Sequence, residues 1–112
     1  MRVAVPVADG KLNMHFGHCE TLALLDVNQK DRSIIGREDI VAPPHEPGLL
    51  PRWLAEKEVD VVIAGGMGQR AQSLFAGQNI QVVIGAGSET PEVLVTSFLN
   101  GELISGVNVC DH

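Results

Sequence analysis

The stretch Asp60-Val-Val-Ile-Ala-Gly-Gly-Met-Gly-Gln-Arg-Ala71 decides how this chain folds. It opens on a short apolar run rich in β-branched residues, which is typical of a strand buried on both faces in a parallel sheet. Three glycines interrupt the run at Gly65, Gly66 and Gly68. Apolar residues then return with helical spacing at Met67, Ala71, Leu74 and Phe75. The pattern predicts a strand, a glycine turn and a helix.

A turn of this kind has a possible chemical use. Its backbone N–H groups point outward at the amino end of a helix, where an anion is favoured, and glycine lets a ligand approach the main chain closely. The spacing is neither that of a Walker loop nor the Gly-x-Gly-x-x-Gly of dinucleotide folds. A tight turn without any ligand explains the glycines equally well, so both interpretations stay open at this point.

The composition is that of an ordinary globular protein, with 45% hydrophobic and 20% charged residues. A chain of 112 residues fits one domain, which we expect to span residues 1–112. No apolar run approaches the length of a membrane span, and we expect no membrane partner. Residues 1–7 predict a strand rather than a signal peptide, so we expect a cytoplasmic protein.

The charge argues against nucleic acid as a partner. The formal net charge is −6, and only eight lysines and arginines are present. Phosphate-backbone binding needs clustered basic groups. With three phenylalanines, one tryptophan and no tyrosine, a base-stacking surface is not expected either.

The whole chain predicts strands and helices in the order βββαβαβα. Strands are expected at residues 2–7, 21–27, 33–41, 60–64 and 80–84, and helices at 49–58, 67–76 and 90–99. Pro6 is expected near the end of its strand or at a bulge, and Gly77 at the left-handed stop of the second helix. Helical crossovers make the first, fourth and fifth strands parallel, and a polar turn at 28–32 makes the second and third a hairpin. The predicted fold is therefore α/β, a five-stranded mixed sheet in the order 3-2-1-4-5 with three helices.

This topology gathers the unusual residues at one edge of the sheet, where open α/β sheets favour ligands. The segments that meet there are residues 9–11, the loop 15–19, His45, the glycine turn at 65–68 and a second glycine turn at 85–87. The tail after the third helix has about 11 residues, enough extended chain to cover roughly 35 Å. Cys110 and His112 can therefore return to the same edge or reach a neighbouring molecule.

Imidazoles and thiols are concentrated in two short segments. Met14-His-Phe-Gly-His-Cys19 supplies His15, His18 and Cys19, and the tail supplies Cys110 and His112. Thiolate and imidazole are ligands for Cu(I), Zn and iron–sulfur species. Their spacing is not that of a structural zinc site, so an open site for a transferable cluster is the better interpretation. Solvated loop histidines and a small buried cysteine remain the alternative.

Backbone donors complete the predicted site, because concave arrays of N–H groups favour anionic metal–sulfur clusters. The residues predicted to contact the cluster in this way are Gly65, Gly66, Met67, Gly68, Gly85 and Gly87. Met67 has a second interpretation as a core residue beneath the helix, which its position in the apolar pattern favours.

The sequence resembles the dinitrogenase iron–molybdenum cofactor biosynthesis family, which includes NifX-like and NafY-like proteins, the C-terminal domain of NifB and the orange protein. The resemblance covers nearly the whole chain. It rests on residues 3–7, Phe16-Gly17, Pro47-Gly48, the run 61–68, residues 80–87 and Phe98-Leu-Asn-Gly-Glu-Leu103, with Gly-Gly-Met-Gly after a strand as the most specific element.

The resemblance implies a ribonuclease-H-like fold and a protein that binds or delivers an iron–sulfur or molybdenum-containing cluster (Mo–Fe–S or Mo–Cu–S) rather than an enzyme. Other cluster-assembly proteins or a P-loop ATPase are then expected as partners. A metal-free regulatory module that binds another protein is the alternative. A hydrolase is disfavoured, because strand 1 carries Val3, Ala4 and Val5 where two-metal chemistry needs a central acid.

Overall fold

The computed structural model describes residues 1–8, 11–12, 21–41, 49–84 and 89–101. Within these ranges the chain forms six strands and three helices. In chain order they are β1 (Arg2–Ala8), β2 (Lys11–Leu12), β3 (Thr21–Asn28), β4 (Ser33–Val41), α1 (Leu49–Glu56), β5 (Val61–Ile63), α2 (Gln69–Gly77), β6 (Gln81–Val83) and α3 (Pro91–Leu99).

The long strands form one mixed sheet in the order β4-β3-β1-β5-β6. β1, β5 and β6 are parallel to one another, and β3 is antiparallel to both β1 and β4. This arrangement confirms the predicted α/β fold and the predicted order of the five main strands. The carboxyl ends of β1, β4, β5 and β6 and the amino end of β3 therefore share one edge, called here the carboxyl edge.

The short strand β2 was not predicted. Leu12 pairs with Val7, which also pairs with Thr21 of β3. Because β3 occupies one side of β1, β2 must occupy the other side, where β5 lies. A segment of two residues is too short to show the alternating pattern of a strand, so the sequence alone does not predict β2. Its pairing with the end of β1 identifies it as a strand.

Pro6 lies inside β1, although the sequence favoured the strand end or a bulge for it. The backbone N–H and C=O of Arg2 both face Asp60. Alternate residues of a strand point the same way, so the backbone of Pro6 also faces the β5 side. The β1–β5 pairing ends at Ala4, and the missing N–H of Pro6 therefore costs no bond to β5.

The central strands β1, β3 and β5 are buried on both faces of the sheet, as the apolar run at residues 60–64 predicted for β5. One face packs beneath α3 through Leu94 and Val95. The other packs beneath α1 and α2 through Leu54 and Phe75. Met67 belongs to this second core, together with Leu22, Leu24 and Val62.

All three helices are followed by a residue in the left-handed backbone region: Glu58 (φ 61°), Asn79 (φ 61°) and Gly101 (φ 72°). The prediction that Gly77 provides the left-handed stop of α2 is wrong, since Gly77 is the last helical residue. Asn79 takes that role, because its N–H bonds the Ala76 carbonyl and the next N–H, of Ile80, bonds the Phe75 carbonyl.

None of the helices in the described ranges is long and apolar enough to cross a membrane.

Candidate functional site

The glycine turn follows β5 directly at the carboxyl edge. The N–H of Ala64 donates to the Val83 carbonyl at 2.8 Å, which fixes the end of β5 against β6. α2 begins at Gln69, so the predicted order of strand, turn and helix is confirmed. Gly65 and Gly66 are buried, whereas Gly68 is partly exposed. Of the three glycines, Gly68 therefore offers the accessible main chain.

Two interactions hold the turn in place. The side-chain amide of Gln72 donates from Nε2 to the Met67 carbonyl at 2.8 Å, and the Gln72 N–H donates to the Gly68 carbonyl at 3.1 Å. The Met67 side chain is only 2% exposed and packs in the core beneath α1 and α2. Packing alone accounts for this methionine, and its contact with a cluster stays a prediction.

Gly68 has no conformational reason to be glycine. Its φ of −63° and ψ of 154° are open to every L-amino acid. A Cβ built on Gly68 meets no heavy atom of the described residues within 4 Å. As far as the described residues go, the position has free space immediately beside an accessible backbone, which is the arrangement that lets a ligand approach the main chain.

The amino end of α2 carries uncompensated positive potential within the described part of the chain. No side chain caps it, its first turn has no acidic residue, and the exposed Arg70 lies in that turn. In α3, by contrast, Glu92 occupies the first turn and forms an ion pair with Arg37. Hydrogen bonds to Asp39 and Glu92 raise the pKa of Arg37 above its usual value. Arg70 is a residue that the sequence analysis did not select.

The segment with the predicted ligands His15, His18 and Cys19 begins and ends next to Val7. Leu12 and Thr21, on either side of the segment 13–20, are both Cα partners of Val7. The pairing of β1 with β5 ends at Ala4 and Val62, and both chains continue from there to the carboxyl edge. Both ends of this segment therefore lie at the edge at which the glycine turn follows β5.

The predicted ligand side chains themselves lie outside the described residues. This applies to His15, His18, Cys19, Cys110 and His112, and also to His45 and to Gly85 and Gly87 of the second turn. Among the residues that are described, no three or more His, Cys, Asp or Glu form a group suited to a metal ion.

The opposite edge of the sheet is held by an arginine. Arg2 donates from Nε to Asp26 at 2.8 Å and from Nη1 to the Lys57 carbonyl at 2.6 Å, and its N–H donates to Asp60 Oδ2 at 2.9 Å. The hydrogen bond to Asp26 raises the pKa of Arg2 further above its usual value. Asp60 thus holds the amino end of β1, at the edge of the sheet opposite the glycine turn.

These features define a small α/β protein with an accessible glycine turn at the carboxyl edge of its mixed sheet. The chain belongs to the dinitrogenase iron-molybdenum cofactor family, whose sequence profile matches residues 1–101. The resemblance noted in the sequence is thereby confirmed.

Solved structures share this fold. The crystal structure of PH0822 is 27% identical, with a TM-score of 0.83 and 92% of each chain covered. MJ0327 from Methanocaldococcus jannaschii is 17% identical, with a TM-score of 0.76 and 96% of each chain covered. The apo orange protein from Desulfovibrio gigas is 21% identical, with a TM-score of 0.73 over 96% of this chain and 93% of that one. No curated protein sequence matches the chain.

Proposed function

We propose that this protein binds an anionic iron–sulfur or molybdenum-containing cluster as cargo and acts in the assembly or delivery of that cluster. Membership of the dinitrogenase iron-molybdenum cofactor family supports a role with such a cargo. The proposed binding site is the carboxyl edge of the sheet, beside the glycine turn. The protein would act as a carrier, with other cluster-assembly proteins as its partners.

In this proposal the loop imidazoles and the thiolate coordinate the metal. His15, His18 and Cys19 are the primary ligands, since both ends of their segment lie beside Val7. Cys110 and His112 are a second ligand pair supplied by the tail. Soft thiolate and borderline imidazole donors suit the iron, molybdenum or copper of such clusters.

The chain's own backbone supplies the electrostatic part of the site. The sulfide atoms of a metal–sulfur cluster carry negative charge, which N–H groups and the amino end of α2 favour. The glycine turns 65–68 and 85–87 are the proposed sources of these donors. Arg70, which is exposed in the first turn of α2, adds a positive charge at this helix end.

The single observation that carries the proposal is open space for a Cβ at the uncapped amino end of α2. Within the described residues Gly36 and Gly77 also have such space, but of the three only Gly68 lies at the amino end of a helix. Neither backbone conformation nor packing within the described residues requires glycine there. A bulky inorganic anion against the main chain provides the missing reason, because a Cβ at this position would occupy the space it needs.

The test compares Gly68, which immediately precedes α2, with Gly77, the last residue of α2. Gly68→Ala and Gly77→Ala each add one methyl group where no heavy atom of the described residues lies within 4 Å, so both variants are expected to fold. Each is titrated without oxygen, first with ferrous iron plus sulfide and then with tetrathiomolybdate, and bound metal per chain is measured by elemental analysis.

We expect Gly68→Ala to weaken metal uptake by about tenfold, equivalent to about 1.4 kcal/mol. Gly77→Ala should bind like the wild type, because it lies at the far end of α2. If both variants took up equal amounts of metal, or if only Gly77→Ala lost metal uptake, the glycine turn would not be part of the binding site.

A further inference from the structure

Strand β4 is a long edge strand with two prominent apolar side chains. Within the described residues it pairs only with β3. Val41 is 80% exposed and Ile35 is 69% exposed, the highest values among the large hydrophobic side chains of the described part. Between them the strand is also mostly exposed. A long exposed edge is a ready template for pairing with another strand.

The backbone groups of β4 that face outward can be identified from the register. Arg2 directs its N–H and C=O to Asp60, so the backbone of Val3 points to the opposite side, toward β3. Val3 pairs with Leu25, and Leu24 pairs with Glu38. Alternation along each strand then directs Glu38 toward β3 and leaves the backbone N–H and C=O groups of Arg37, Asp39 and Val41 facing outward.

The side chains of these outward-facing residues share one face of the sheet. Arg37 donates from Nε to Asp39 at 2.7 Å, and it also pairs with Glu92 of α3. Val41 is on the same face, since side chains alternate along a strand. The register of β3 and β4 shifts between Asp26 and Val27, and Ile35 has no Cα partner in β3 there.

We propose that β4 is a self-association edge, at which a second copy of this chain adds its own β4 in antiparallel orientation. Different two-fold registers are open to a pair of β4 strands. One sets Arg37 opposite Arg37 of the second copy, and another sets Asp39 opposite Asp39. A third sets Arg37 against Asp39 of the second copy, twice by symmetry. That register alone is matched in charge.

The same register also joins the two exposed apolar residues. Counting outward from the Arg37–Asp39 pair, Ile35 of each copy comes opposite Val41 of the other. Gly36 of each copy comes opposite Ile40 of the other, so the Ile40 side chain has no side chain directly opposite it. Two apolar pairs and two ion pairs therefore arise together, and such cross-strand pairs are the units that stabilise a sheet.

One contact opposes the pairing. Glu38 lies on the two-fold axis of this register and faces Glu38 of the second copy, and like charges directly opposite are destabilising. Each copy also carries a formal net charge of −6. We therefore expect a weak dimer that salt modulates and that Glu38→Gln strengthens.

The dimer leaves the proposed cluster site open. β4 runs parallel to β1, and its end at Val41 lies at the carboxyl edge. In an antiparallel pair the two carboxyl edges point in opposite directions. The inference is thus independent of the cluster, and its test uses protein without added metal.

Sedimentation equilibrium from micromolar to millimolar protein measures the association. The register is tested with Val41→Glu, Ile35→Lys and the double variant, since both side chains are exposed. Each single variant should raise the dimer dissociation constant about tenfold. The double variant should recover dimerisation, because each Lys then faces a Glu of the other copy.

Recovery of the dimer by the double variant would show that residue 35 of one copy contacts residue 41 of the other. Along one strand Ile35 and Val41 lie six residues apart, roughly 20 Å, so the new charges cannot pair within a chain. A monomer at every concentration would overturn the proposal. So would single variants that dimerise like the wild type, or a double variant no better than the singles.

Discussion

Gly68 and Gly101 differ in whether the surrounding structure requires a glycine at that position. Gly101 has a φ of 72°, where other residues pay a steric cost. Gly68 has an ordinary backbone conformation and open space beside it. Both stand next to a helix end, so their sequence contexts look alike. The fold explains Gly101. For Gly68 no reason lies within the described residues, and the proposed cluster would supply one.

Met67 stands at the centre of the glycine turn, and its burial predicts what a substitution does. Met67→Leu keeps the volume and should change the free energy of unfolding by less than about 1.5 kcal/mol, whereas Met67→Ala should cost about 2–5 kcal/mol. Urea unfolding measures both.

The same pair of variants separates packing from ligation. Because the side chain packs with Leu54 and Phe75 in the core, Met67→Leu should take up as much metal as the wild type. A stable Met67→Leu protein that loses metal would instead make the thioether sulfur a ligand.

At the scale of elements, the helix ends determine how the chain enters the next strand. After α1, the Val59 N–H donates to the Leu54 carbonyl at 3.1 Å, and after α2 the Ile80 N–H donates to the Phe75 carbonyl at 3.0 Å. Both are the six-to-one bond of a Schellman motif. Each motif delivers a buried residue, Val59 or Ile80, directly ahead of β5 or β6.

Glu58 occupies the left-handed position of the first of these motifs with a φ of 61°. Glycine adopts this conformation without the steric penalty that a Cβ brings, so Glu58→Gly should stabilise the protein by about 1 kcal/mol. The free energy of unfolding in urea measures the gain. Lys57→Gly is the control, since Lys57 has no positive φ within this turn, and it should not stabilise. A Glu58→Gly protein no more stable than Lys57→Gly would contradict the analysis.

The elements also show where sequence reasoning succeeds. The apolar run of β5 predicted a strand buried on both faces, and the two cores confirm it, since Val61 and Ile63 lie in one core and Val62 lies in the other. The sequence predicts that α2 stops at Gly77, two residues before the observed left-handed residue, Asn79. Asparagine also tolerates the left-handed conformation, and the hydrogen bond from the Ile80 N–H to the Phe75 carbonyl fixes the end of the helix there. The pair Lys11–Leu12 forms a strand only through its partners in β1.

At the scale of the whole molecule, topology rather than any motif indicates where the proposed site lies. Strand order and direction were predictable from periodicity, and they bring the glycine turn and the ends of segment 13–20 to one edge. The exposure of Gly68 and the burial of Gly65 were not predictable, because they depend on how distant segments pack around the turn. The metal ligands His15, His18 and Cys19 remain predictions that lie outside the described residues.

The most direct test of the account is the metal content of the protein purified without oxygen. Elemental analysis and an absorption spectrum are recorded for the wild type and for the His18→Ala/Cys19→Ala double variant. We predict iron or molybdenum with visible absorption in the wild type and its loss in the folded double variant. Wild-type protein that holds no metal and takes up none from ferrous iron plus sulfide or from tetrathiomolybdate would contradict the central claim, as would a double variant with the full metal content.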